Sequence, residues 1–230
     1  MNSVAVGLFQ ILLAIALFPS TFVRVQSAVP FQGCKGDGQV GPLPAPAIPD
    51  KTIRLDSNVA QRMTYYKAES GPGVLAPRGW NCVGSLGSAG STLIVAPSIE
   101  KLTGPAIIVR SINGETSGRF DVAQVMARLF PSHRSFVQSV IDEGVLRASD
   151  FPSGPYPADR LLRRSDKIVE YETPARSEGL GTFTGLPQNG DPIRGVTILN
   201  EQPVGVFLLA LRLPPNMNDL STVIIQEVER

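Results

Sequence analysis

The sequence has little histidine, cysteine or tryptophan, with one, two and one respectively in 230 residues. A single histidine excludes metal sites built on several imidazoles. Two cysteines with no C-x-x-C spacing exclude the common thiolate zinc motifs, so no metal and no cofactor is expected. Charge of one sign is also lacking: 21 basic residues face 20 acidic ones, a formal charge of +1. No long-range field therefore draws the chain onto nucleic acid. The 22 glycines follow no collagen period, and a hydrophobic share of 43% is too high for a disordered chain.

What is present begins with an uncharged run, Val4 to Val23, with Pro19 near its end. It has the form of a signal peptide over residues 1–27, in which Val25 and Ser27 supply the residues at minus three and minus one. Cleavage is expected after Ser27, with Ala28 the next choice. The run is long enough to span a bilayer, so an N-terminally membrane-anchored protein is the alternative; after cleavage no membrane span is expected. Removal takes away Arg24 and no acid, which leaves 20 basic against 20 acidic residues. A periplasmic or secreted location is oxidising and favours a Cys34–Cys82 disulfide. With the two cysteines 48 positions apart, loop closure would contribute about 4 kcal/mol.

Residues 28–50 are rich in proline and glycine, a composition read as an extended arm unable to sustain helix or ladder pairing. Residues 51–230 are expected to form a single α+β domain, with a largely antiparallel mixed sheet and several packed helices. Within it, Asp56 or Ser57 caps a helix running to about Ala68. Val74 to Pro97 reads as a hairpin turning within Gly87 to Gly90, and Ile107 to Ile112 as a strand. Arg119 to Phe130 is a nearly buried helix whose one polar side holds Asp121, Gln124 and Arg128. Pro131 breaks it, and Ser132 caps a second helix ending at Gly144. Lys167 to Thr173 alternates as a half-exposed strand, and Pro174 to Pro192 is a polar loop. Gly195 to Leu199 and Val204 to Leu213 are strands, the second apolar on both faces and so central. A final amphipathic helix starts at Asn218 or Asp219.

The search for chemistry finds weak candidates only. Gly84 to Gly90 lacks the Gly-x-Ser-x-Gly spacing of a nucleophile elbow, and the strand that follows it excludes a phosphate loop. Ser98 to Lys101 matches Ser-x-x-K, a spacing that arises by chance in a chain of this composition. His133, at a helix start, can serve as a base, and Glu170 and Glu172, two apart on a strand, can serve as paired acids. For binding, two groups stand out. Tyr65, Tyr66, Arg78 and Trp80 gather amphipathic aromatics around the disulfide. Arg160, Arg163, Arg164 and Lys167 form the one dense basic run, and the three arginines converge only if a helical turn forms there, capped by Asp159.

The segments Tyr65 to Pro97, Ser117 to Pro131 (SGRFDVAQVMARLFP) and Tyr156 to Thr182 resemble a family of uncharacterised bacterial exported proteins. The resemblance implies a bacterial envelope or secreted setting and no particular activity. The expected function is thus a non-enzymatic exported protein that binds an envelope or extracellular partner through the aromatic patch or the basic run. A hydrolase of an envelope polymer, using His133 or the two glutamates, is the alternative.

Overall fold

The computed structural model describes residues 25–144 and 147–230. The apolar run of the expected signal peptide lies outside the described residues, and only its junction is in view. The arm departs from the sequence reading, because it pairs. Its strands are β2 (Phe31–Cys34), β3 (Gly36–Gly38) and β4 (Gly41–Leu43), while β1 (Gln26–Ala28), which straddles the expected cleavage point, lies antiparallel to β5 (Arg54–Asp56). Proline is tolerated because Pro42 sits opposite Asp37 on the outermost strand, where its missing N–H is not needed. Gly33 is required by close approach, since a Cβ there would lie 2.1 Å from the Pro46 carbonyl oxygen.

Asp56 caps as expected, accepting from the Asn58 amide at 3.1 Å, but α1 (Ser57–Ala60) lasts one turn. The expected helix gives way to β6 (Met63–Ala68), which pairs with β7 (Val74–Pro77) and, in parallel, with β2. Five of its six residues are buried, a two-sided burial that a surface helix could not offer. The hairpin of β8 (Asn81–Gly87) and β9 (Gly90–Ala96) turns at Ser88 and Ala89, within the expected span. Cys34 and Cys82 are bonded, with Cα atoms 5.4 Å apart, and tie β2 to β8.

After β10 (Ala106–Asn113) come α2 (Arg119–Leu129) and α3 (Arg134–Asp142), joined by a tight turn at Pro131–His133. Ser132 does not cap α3; its hydroxyl lies 3.1 Å from His133 Nδ1 instead. The basic run opens as a strand, β11 (Arg160–Arg163), paired with β12 (Ile168–Thr173), so the helical turn that convergence of its arginines would require does not form there. Asp159 caps a different element. Its carboxylate accepts from the Leu180 amide at 2.9 Å and from the Thr173 hydroxyl at 2.6 Å, at the start of α4 (Leu180–Thr184). That short helix lies inside the expected polar loop. β13 (Ile193–Glu201), β14 (Val204–Arg212) and α5 (Leu220–Val228) complete the chain. Asp219 precedes α5 without a side-chain cap, its carboxylate being taken by Arg62 at 2.6 Å.

The main sheet has nine strands in the order β11-β12-β13-β14-β10-β9-β8-β3-β4, antiparallel except where β3 meets β8. Its side chains alternate between two cores. Val95, Ile107, Val109, Leu209 and Leu211 face α5 and the three-stranded sheet β2-β6-β7. Ile112, Val169, Tyr171, Val206 and Leu208 face α2 and α4 on the other side. β14 is buried on both faces, as its apolar run requires. At its end the fully buried Arg212 donates to the carbonyls of Gly104, at 3.3 Å, and Pro187, which clamps two loops, and burial lowers its pKa. Among the described residues no helix is long and apolar enough to cross a membrane.

Candidate functional site

Because β11 is a strand, its arginines part company. Arg160 and Arg164 project toward α5, while Arg163 projects to the α2 side. The run therefore feeds two different clefts.

The cleft on the α5 side holds about 220 Å³ between β11, β12, β13 and the outer face of α5. Glu170 and Glu172 share one face, as their spacing demands, and both are engaged. Glu172 accepts from Arg160 at 2.9 Å and from Arg194 at 3.1 Å, and Glu170 pairs with Arg164. Arg194 also donates to the Ser221 hydroxyl at 3.2 Å, fixing the ladder to α5. At the end of α5, burial and then the neighbouring Glu170 charge raise the Glu229 pKa, against a smaller opposing effect of Arg164. Every arginine here already has a carboxylate. Both carboxylate oxygens of Glu172 and one of Glu170 are taken by guanidinium donors, which leaves a paired-acid mechanism little to present to a substrate.

The groove on the opposite face is larger, about 580 Å³, between α2, α3 and residues 148–155. Its walls include Met126, Leu129, Phe130, Val137, Ile141 and Phe151. Three arginines join them. The Arg128 guanidinium lies 3.7 Å above the Tyr156 ring, Arg163 donates to the terminal α2 carbonyl of Leu129 at 2.6 Å, and Arg134 is exposed. No Asp or Glu lines the groove, and none of these three arginines forms a salt bridge among the described residues. Asp159 feels the Arg128 charge, but its carboxylate is spent on Thr173 and Leu180, and burial raises its pKa. Sequence reasoning noted Arg128 on the polar side of a buried helix but did not assign it to a site. That lone cation beside an apolar stripe was the available signal.

The remaining candidates lie elsewhere. Lys167 leaves the basic run and bonds Glu201 at 2.7 Å; His133 Nε2 lies 3.3 Å from the other oxygen of the same carboxylate. Lys167 first and His133 second hold the Glu201 pKa below its ordinary value. None of Ser132, His133, Lys167 and Glu201 lines either cleft. The aromatic patch is not a surface. Tyr65, Tyr66 and Trp80 are 3%, 0% and 8% exposed; Tyr66 donates to the Pro77 carbonyl and accepts from the Trp80 amide, both at 3.0 Å. Burial raises the Tyr65 and Tyr66 pKa values, and only Arg78 of this group is exposed, donating to the Ala60 carbonyl. Among the described residues no cluster of His, Cys, Asp or Glu is arranged to hold a metal ion. No family model, curated protein or solved structure matches the chain.

Proposed function

We propose that this is an exported, non-enzymatic binding protein of the bacterial envelope or extracellular space, and that it holds an anionic partner in the arginine-lined groove. One observation carries the reading: Arg128, Arg134 and Arg163 border an apolar groove that has no acidic lining, whereas the arginines of the other cleft are neutralised within the fold. A concave apolar site with a few convergent polar groups is the usual form of a ligand seat. The formed Cys34–Cys82 bond supports export to an oxidising compartment. Capture from envelope extract on immobilised protein tests the proposal. Arg134→Glu is expected to lose the partner that the parent chain retains, and equal retention would refute it. Intact mass of the exported protein tests processing. A chain starting at Ala28 keeps the Ala28–Arg54 pairing and the Val29 to Ile53 bond of 2.9 Å.

The hydrolase reading has one specific observation in its favour, the succession of Ser132 Oγ, the His133 ring and Glu201 within hydrogen-bonding reach. Against it, Ser132 is exposed outside both clefts and Lys167 takes the second Glu201 oxygen. Covalent labelling of Ser132 by a fluorophosphonate would establish the hydrolase, and no labelling of folded protein would remove it.

A further inference from the structure

We infer that the groove takes a single-chain acyl carboxylate, an alkyl chain lying along the apolar wall with its acid head on the arginines; this rests on the groove being the binding site. Three features lead there. Its volume of about 580 Å³ falls within the range, roughly 300–1,000 Å³, of sites that enclose a small ligand. The six apolar wall residues offer burial, while the arginines, free of internal carboxylates, offer planar donors matched to a carboxylate. The walls offer an extended peptide little. Helical amides in α2 and α3 are spent on their own ladders, and Pro152 and Pro155 have no N–H, so a backbone lying there would go unpaired. An alkyl chain needs no such partners.

A membrane surface fits less well than a free amphiphile. Among the described residues the large exposed hydrophobics are Val25, Val40, Ile48, Leu86, Leu161 and Leu162, and none of them belongs to the groove. The apolar surface here is recessed rather than projecting, which suits enclosure of a chain and not insertion into a bilayer. The β12 acids of a second copy are no match for the groove, since they are engaged with their own arginines.

Titration calorimetry with laurate, kept below its micellar concentration, tests the inference. One-to-one binding is expected, with no binding of acetate and weaker binding of dodecanol. Across octanoate, decanoate and laurate, affinity should rise about fourfold per added CH₂. Arg134→Glu should weaken laurate about tenfold or more with an unchanged melting curve, and Ile141→Asp should weaken it through the chain rather than the head. Affinity independent of chain length would overturn the inference. So would laurate binding that both variants leave intact, or co-sedimentation with phosphatidylglycerol vesicles in the absence of laurate binding. If laurate fails while Arg134→Glu still abolishes capture from envelope extract, the ligand class is wrong and the groove stands. If neither laurate nor the extract partner responds to Arg134→Glu, both are wrong.

Discussion

The charged cleft and the apolar groove lie on opposite faces of one sheet edge, and the four-residue strand β11 gives an arginine to each, Arg160 to the cleft and Arg163 to the groove. They differ in what those arginines meet. On the α5 side Arg160, Arg164 and Arg194 interleave with Glu170 and Glu172, so each charge is answered within the fold. On the α2 side Arg163 joins Arg128 and Arg134 with no acid in the lining. A paired arginine ladder pins register and attracts little from outside, since a ligand must first displace a neighbouring carboxylate. An arginine bordered by apolar wall and backbone carbonyls retains donors for an incoming anion. Arginines that look alike in the sequence thus take different roles through the two-residue period of a strand.

The comparison is broken most forcefully at Asp159, which leads into β11. Asp159→Ala leaves the Thr173 hydroxyl and the Leu180 amide without their acceptor, both in largely buried surroundings. A loss of about 2 kcal/mol is expected in urea unfolding. Because β11 leads out of this anchor, laurate affinity and the ion-pair ladder should suffer together. A stable variant would show that β11 is positioned by pairing with β12 alone.

Next in size is the Arg134→Glu effect on binding, tenfold or more, equivalent to about 1.4 kcal/mol. Its value lies in the contrast with stability. Arg134 is exposed and makes no salt bridge among the described residues, so its melting temperature should stay within the range of ordinary surface substitutions, about 0.5 kcal/mol. A large stability loss would move Arg134 into the structural class and erase the difference between the two sites.

How far the sequence reached follows from where each element gets its stability. β14 and α2 were legible because burial on both faces, or on all but one side, is written in their own residues. β12 was legible from its alternation, which also placed Glu170 and Glu172 on a common face. β6 was not, because Val59, Met63 and Tyr66 fit a helical stripe equally well, and only the layer above the main sheet makes Tyr65 and Tyr66 both interior. β11 was not either. RLLR is exposed throughout and carries no core signal of its own; it is a strand because Arg160 and Leu162 lie opposite Glu172 and Glu170 twelve and eight positions away. The groove was least legible of all, since its arginines come from α2, α3 and β11, and nothing local links them.

The reverse dissociation is smaller. Glu172→Gln removes the charge that answers both Arg160 and Arg194, yet those arginines are 78% and 47% exposed and water screens what is lost. A destabilisation of about 0.5–1 kcal/mol is expected, reduced further in high salt, with laurate affinity unchanged. A fall in laurate affinity would mean that the two clefts communicate through β11.

The smallest effect tests whether the charged cleft is fully compensated. Glu229 ends α5 beside Glu170, and its pKa is raised above the ordinary 4.5, first by burial and then by that like charge. The folded state therefore holds the Glu229 proton more tightly than the unfolded chain does. The stability this gives is full below pH 4.5 and is lost as pH rises through the higher folded value. At pH 7 the ionised carboxylate is a modest liability, and Glu229→Gln should be more stable than the parent by about 0.3 kcal/mol, small because the side chain is only partly removed from water. The gap should close as the pH is lowered toward 4, where the parent residue is neutral as well. Arg134→Gln, whose groove has no acidic lining, should show no such pH-dependent gap over the same interval. Urea midpoints for the three proteins at pH 4, 5.5 and 7 supply the comparison. A Glu229→Gln variant less stable than the parent at pH 7 would show that attraction to Arg164 outweighs burial and the Glu170 charge, and that the ladder of paired charges extends onto the end of α5.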